Sequence, residues 1–497
     1  MSARRQFLAT TALLGLTGTI HAQPLQHNVR DYGAKGDGKA LDTEAIQRAI
    51  DAAAQAGGGT VLLPAGQYLS FTLHLKSHVT LHLDNGSLLI AAEPGTEGKA
   101  YDLAEPNPWD MYQDFGHSHW HNSLIVGDGI THVAITGQGR IWGRGLTRQG
   151  PGPRRQSKPG DMPSSLGNAD PMGERQKPGQ EYAADMKGKG NKAIALKNCR
   201  HVLLRDFSIL KGGHFAVLAT GVDHLTIDNL QVDTERDGFD IDACHYVRIA
   251  NCGVNSPNDD AICLKSSYAL GSARMTENVV ITNCQVSGYD LGTYLDGSFG
   301  RTTQRAPDLE GVCGRIKLGT ESNGGFRNIA ISNCVFERCR GLAIESVDGA
   351  LIEDVVVSNL AMRELTNSPI FIRLGRRMRA PEGTPVGKIR RISIHQVSVA
   401  SAAHEYASII AGLPGHPIED VVLSNITTVH AGGGKREDAE RPIPENETMY
   451  PEPSMFGVTP AYGLYARHVK GLRLQQVQFK LHSPEARPAI ITDDVTD

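Results

Sequence analysis

Aromatic residues are scarce in this chain, at 6% of 497 residues with three tryptophans, so the core cannot be built from large rings. Glycine is abundant instead, at 55 residues, which suits a fold made of many tight turns. Beyond the N-terminal segment no run reaches 18 uninterrupted apolar residues, so no later stretch reads as a membrane helix. Charge of one sign is also missing: the net value of −4 gives no reason to expect a nucleic-acid partner. A chain that binds a polyanion would then need local basic patches. No cysteine spacing resembles a zinc site. All eight cysteines fall between Cys199 and Cys339, four of them in Asn-Cys pairs at 198–199, 251–252, 283–284 and 333–334. That recurrence points to small buried residues more than to disulfides, although an exported chain keeps the disulfide reading open.

Export is read from the N-terminus. Arg4-Arg5-Gln6-Phe7-Leu8 precedes a short apolar run, the pattern of a twin-arginine signal, with an ordinary secretory signal as the alternative. Cleavage after Ala22 would leave one mature unit, 23–497, periplasmic or secreted and free of the membrane. Asp42 is placed to cap a helix whose Ala45, Ile46, Ala49, Ile50 and Ala53 share a face, and Gly57-Gly58-Gly59 would end it.

The remaining chain is organised around 237–265. Three strings share one grammar: H-L-T-I-D-N-L-Q-V, Y-V-R-I-A-N-C-G-V and N-V-V-I-T-N-C-Q-V. Taking the Asn after each strand as a marker, Asn229 and Asn251 are 22 residues apart, and the equivalent Asp206 lies 23 before Asn229. Later markers are Asn283, Asn333, Asn359, Gln396, Asn425 and Gln476. Such a period is that of a solenoid, in which each unit must stack to bury its unfinished face. Eight residues past three markers stand His214, Asp237 and Asp259, which predicts a column with steps of roughly 4.8 Å and Asp260 beside it. Stacked carboxylates raise one another's pKa, a cost that suits a site needing one protonated and one ionised carboxyl.

Other stretches break the rhythm. Residues 101–122 crowd Trp109, Tyr112, Phe115, His117, His119, Trp120 and His121, a packing or sugar-binding loop; on a strand its three histidines would share a face and mimic a metal triad, but no metal is expected. Residues 146–190 are aperiodic and read as a long loop. The basic stretch 363–390 and the Pro- and Glu-rich stretch 431–463 read as excursions from one solenoid.

With these residues in view, the chain resembles glycoside hydrolase family 28, the polygalacturonase and rhamnogalacturonase family. Arg315-Ile316-Lys317 matches its R-I-K, Asn258-Asp259-Asp260 stands for G/Q-D-D, and Glu235-Arg236-Asp237 stands where N-T-D is usual. The G-H-G slot is the departure: Gly288-Tyr289-Asp290 has no histidine. The resemblance implies an all-β, single-stranded right-handed parallel β-helix of the pectin-lyase-like type with an N-terminal capping helix. It implies inverting hydrolysis of α-linked galacturonic acid bonds in a pectic polysaccharide or oligogalacturonide, by a monomer without a cofactor. Asp259 would be the general acid, and Asp237 and Asp260 would hold and activate the water. Arg315 and Lys317, two apart on one strand face, suit a uronic carboxylate. His214, Tyr289 and Asp290 complete the expected substrate contacts. A β-helix pectate lyase using the acidic cluster for calcium, and a non-catalytic glycan-binding β-helix, are the rival readings.

Overall fold

A computed structural model describes residues 26–148 and 186–497. The export segment 1–22 and most of the aperiodic stretch 146–190 lie outside the described residues. One coil shows why the sequence folds as it does. In Asp223–Asp228, Leu225 and Ile227 are buried while the intervening side chains face outward, the alternation of a strand with one face in a core. Three strands make the coil: Phe215–Thr220, Asp223–Asp228 and Gln231–Asp233. The next coil repeats them as Asp237–Asp242, His245–Ala250 and Gly253–Asn255, each strand pairing parallel with its predecessor. The interior is a stack of aliphatic columns. One runs Leu225, Val247, Val279, Ile329, Val355, Ile392 and Val421, one residue per coil, all buried. From Phe326 onward the second and third strands of each coil fuse, as in Phe326–Glu337 and Leu351–Arg363. The architecture is the expected parallel β-helix.

The marker residues turn out to be corner residues. From Asp206 to Gln476 their φ values lie between 52° and 76°, the left-handed conformation that Asn and Asp tolerate better than other side chains. Their amides link coil to coil, as Asn229 Nδ2 does to Asp206 Oδ1 at 3.0 Å and Asn359 Nδ2 to Asn333 Oδ1 at 3.1 Å. The other corner carries a ladder that the sequence reading missed. His78, His132, His201, His224 and Tyr246 also have positive φ, and their rings stack with centroids 4.5–5.2 Å apart.

All eight cysteines are buried and unpaired, as the recurrence suggested. Cys252, Cys284 and Cys334 follow the marker Asn, and each Sγ–H donates to the carbonyl two residues back, at 3.1–3.3 Å. Cys199 sits at the histidine corner instead, in register with Val222 and Cys244.

The helix Thr43–Gln55 closes the N-terminal end, burying the predicted face of Ala45, Ile46, Ala49, Ile50 and Ala53. Asp42 precedes it, but its carboxylate accepts from Lys35 N and Gly36 N rather than from the helix. Of the two excursions, 363–390 includes a regular ladder strand, Ile370–Leu374, whose Arg373 is buried. The stretch 431–463 folds back over the outer face of the first-strand sheet, where Met455 and Phe456 pack on Ala343, Phe371 and Ile409. Among the described residues no helix is long and apolar enough to cross a membrane.

Candidate active site

The site forms where the corner after each third strand delivers the chain into the next first strand. That corner is 211–214 in one coil, 234–236 in the next and 256–259 in the third. Its length changes by one residue, and the expected column shifts accordingly. Phe215 pairs with Asp237, and Asp237 with Asp260, whose carbonyl accepts from Gly238 N at 3.0 Å. His214, Arg236 and Asp259 form the neighbouring row, with Arg236 between the other two. Counting eight from each marker failed because it assumed corners of equal length.

The three carboxylates nevertheless meet. Asp237, Asp259 and Asp260 each bring an oxygen within 4.8 Å of the others. Asp260 N donates to Asp237 Oδ1 at 3.1 Å, which ties the two coils together at this point. Gly238 permits the approach, since a Cβ there would lie 2.4 Å from Ala261 O.

Their environments differ sharply. Asp260 is 1% exposed; burial alone would raise its pKa, but Lys317 Nζ at 2.9 Å and Arg315 Nε at 2.8 Å hold it far below the usual range. Asp259 is partly exposed, and although burial opposes ionisation, Arg236 keeps its carboxyl low by placing Nε and Nη2 3.0 and 2.7 Å from Oδ2. Asp237 has no such cation. Burial, then Asp240 and Asp259 beside it, push it well above 3.8. The surroundings therefore drive the proton affinities apart, upward at Asp237 and downward at Asp259 and Asp260. Geometrically the trio could hold a cation, but Arg236, Arg315 and Lys317 already supply positive charge to it.

Arg315 and Lys317 do share a face, but they do not wait for substrate. Both are buried, and Arg315 also spans Glu452 at 2.5 and 3.1 Å, a carboxylate from the 431–463 excursion. The ring of Tyr450, from the same excursion, lies 5.8 Å from Lys317 Nζ. In this structure Arg315 pairs with Asp260 and Glu452, and Lys317 with Asp260. Tyr289 and Asp290 lie in the segment that follows the third strand of the next coil. Tyr289 packs on Phe299 and under Arg301, and Asp290 accepts from Thr302 N and Thr303 N at 2.7 Å, so both anchor the loop after them. None of these contacts is with the three carboxylates.

His214 borders the site, buried, with Nδ1 2.9 Å from Arg148 O. Burial and then Arg236 lower its pKa, so it is neutral. The 101–122 stretch forms the wall above it. It is not a strand: Phe115–Ser118 is a helical turn, and the three histidines face different carboxylates, His117 toward Glu321, His119 toward Asp110 and His121 toward Asp128. Gly116 is pressed on His214 and Phe215, Trp120 is buried over Phe215 and Leu218, and Asp114 pairs with Arg379 at 2.9 Å. Sequence reasoning placed Asp240 in an acidic cluster with Asp237 and Asp242 but gave no site role to Arg236, Lys265, Glu321 or Glu452. Spacing could have pointed to Lys265, which stands on the outer face of the strand Ile262–Ser266 in register with Asp242; nothing local marks Glu452.

Comparison with known proteins fits this picture. A family model described as rhamnogalacturonase A/epimerase, pectate lyase-like, matches residues 26–99, and one described as right handed beta helix region matches 192–363. Alginate lyase 7 of Azotobacter vinelandii is 68% identical over 44 residues, 9% of this chain and 5% of that protein. A "probable polygalacturonase" of Vitis vinifera is 22% identical over 434 residues, covering 82% of this chain and 74% of the relative. The exo-poly-alpha-D-galacturonosidase of Dickeya chrysanthemi is 35% identical over 138 residues, 27% and 22% of the two chains. The matches thus span less than a quarter of two of these relatives. Among solved structures, the family 28 exopolygalacturonase of Yersinia enterocolitica superposes with a TM-score of 0.65 at 18% identity, covering 96% of this chain and 78% of that one. The exopolygalacturonase from Thermotoga maritima gives 0.59 at 19% identity, covering 82% and 89%. At these identities the structures speak for the fold, a right-handed parallel β-helix. With the ordered motifs and the repeat that carries them, these matches support a likeness to glycoside hydrolase family 28.

Proposed function

We propose that this protein is a pectin-degrading glycoside hydrolase that cleaves α-linked galacturonic acid bonds with its own carboxyl groups and no cofactor. One observation carries the reading: three carboxyls in one cluster whose surroundings drive their proton affinities apart, Asp237 upward and Asp259 and Asp260 downward, the division that acid and base roles need. Asp259 is the most exposed of the three and the one a glycosidic oxygen can reach. In the free state its proton rests on the neighbouring Asp237. Delivery to the leaving oxygen passes through Asp259, and Asp237 and Asp260 are left to hold and deprotonate water.

Inverting enzymes separate the two carboxyls by roughly 6.5–9.5 Å to admit that water. The nearest oxygens here are within 4.8 Å, so inversion requires Asp259 to turn outward from Asp237. The relatives and solved structures named as polygalacturonases support pectic substrates. The walls support action on chain ends: 101–122 stands on one side of the carboxylates and 431–463 on the other. A calcium-dependent lyase fits less well, because the cations that would repel calcium are already in place.

The test is product analysis on homogalacturonan and rhamnogalacturonan side by side, with the anomer formed followed by NMR. New reducing ends without ultraviolet-absorbing unsaturated products are expected. Unsaturated products, or saturable binding with no cleavage, would sink the proposal.

A further inference from the structure

The cations expected to recognise an acidic sugar are locked away, which raises the question of what does recognise it. Arg315, Lys317 and Lys265 are nearly buried, each against a carboxylate of the protein: Asp260 and Glu452, Asp260, and Glu321. Arg377 is sealed against Asp348 in the same way.

Arg236 is different. Its side chain is 31% exposed, and its partner Asp259 is 27% exposed, so the pair faces solvent. Both its hydrogen bonds to Asp259, from Nε and Nη2, go to a single oxygen, Oδ2. Its Nη1 has one neighbour among the described residues, His214 Nδ1 at 3.3 Å. That nitrogen lies 2.9 Å from Arg148 O, a carbonyl that can only accept, so its hydrogen is committed there and it cannot accept from Arg236. Among the described residues the Nη1 hydrogens are therefore unspent, and the Nη1–Nη2 edge is a fork of the geometry that binds carboxylates bidentately. The backbone beneath is fixed: Ser256 Oγ donates to Arg236 O at 2.7 Å, and the short corner 234–236 holds the residue in the row of Asp259.

We propose that Arg236 is the specificity-determining residue of this site, taking the free carboxylate of an acidic sugar on its Nη1–Nη2 edge immediately beside Asp259. The inference rests on the hydrolytic reading above for what happens next. A guanidinium shared with the sugar holds Asp259 less tightly, which frees Asp259 to turn outward and to take the proton from Asp237. A neutral sugar in the same place would leave Asp259 clamped and ionised. The carboxylate would thus be both the mark recognised and the trigger for cleavage.

Binding tests the recognition without depending on turnover. Digalacturonate and its carboxyl-reduced, uncharged counterpart are titrated calorimetrically into wild type, Arg236→Gln and Arg236→Lys, with melting curves to confirm folding. Wild type should prefer the acidic dimer. Arg236→Gln should weaken it at least ~10-fold, the scale of a lost charge-assisted bond, with no change for the neutral dimer, and Arg236→Lys should fall between. The proposal is overturned if wild type binds both dimers alike or neither, or if a folded Arg236→Gln binds digalacturonate as wild type does. Should binding follow Arg236 while wild type cleaves nothing, the recognition stands and the hydrolytic reading fails.

Discussion

Asp240 offers a demanding check on the electrostatics of the site. It stands on the outer face of the strand Asp237–Asp242, in register with Leu218 and Cys263, and is 0% exposed. Among the described residues no nitrogen donates to either of its oxygens, and its side-chain hydrogen bond is with the neighbouring carboxyl of Asp237. Burial raises its pKa to about 7, against the opposing pull of Lys265. A carboxyl with a raised pKa holds its proton more tightly in the folded state than in the unfolded chain. Its contribution to stability is therefore complete below pH 3.8 and is lost as pH rises toward 7. At 1.36 kcal/mol per pKa unit, the loss is about 4 kcal/mol above pH 7, an upper bound because Asp237 shares part of it. Asp240→Asn keeps the shape and removes the titration. Urea unfolding of both proteins at pH 5 and pH 8 should show the variant gaining stability relative to wild type by ~2–4 kcal/mol between the two conditions. A difference that does not move with pH would refute the assignment and weaken the case for a protonated Asp237 beside it.

Three further outcomes are expected. Asp259→Asn should lower turnover by at least ~10²-fold, the scale of general acid catalysis, with the melting temperature nearly unchanged because the residue is partly exposed. Arg315→Ala should act on the fold more than on substrate affinity. It leaves Asp260 and Glu452 short of a buried partner, a loss of about 3–5 kcal/mol, and hydrogen exchange over 448–458 should quicken; a pure rise in KM would contradict the structure. Chelation should leave turnover intact, since protein cations already neutralise the trio; a loss restored by calcium would reopen the lyase reading.

The solenoid was legible because its two causes are local. Alternating aliphatics bury one face of each strand, and an Asn or Asp takes each left-handed corner, so the period could be counted from Asp206 to Gln476. The carboxylates were legible for the same reason, in that adjacent coils had to bring Asp237 near 259–260. Their pairing was not, because register depends on the length of a turn that has no sequence signature. The states of Arg315 and Lys317 were hidden by distance along the chain. Arg315's partner Glu452 lies 137 residues away, on an excursion whose path only packing decides, and Tyr450 of the same excursion covers Lys317. Arg236 was visible as an oddity in the motif, but its hold on Asp259 required the one-residue shift.

That variable corner has a consequence for how such proteins diversify. The same junction between third and first strands is bridged by 234–236 in one coil, by 288–315 in another and by 431–463 near the C-terminus, and the first strand after each still pairs parallel with its predecessor, with one register shift between Leu264 and Ser266. Length can change there without disturbing the stack, because the aliphatic columns and left-handed corners that carry stability lie elsewhere. The junction also opens beside the carboxylates. Segments exchanged at this one seam between related β-helices should alter access to the carboxylates while the coils beneath keep their stacking, so the chain behaves as a fixed spine with replaceable attachments along a single edge.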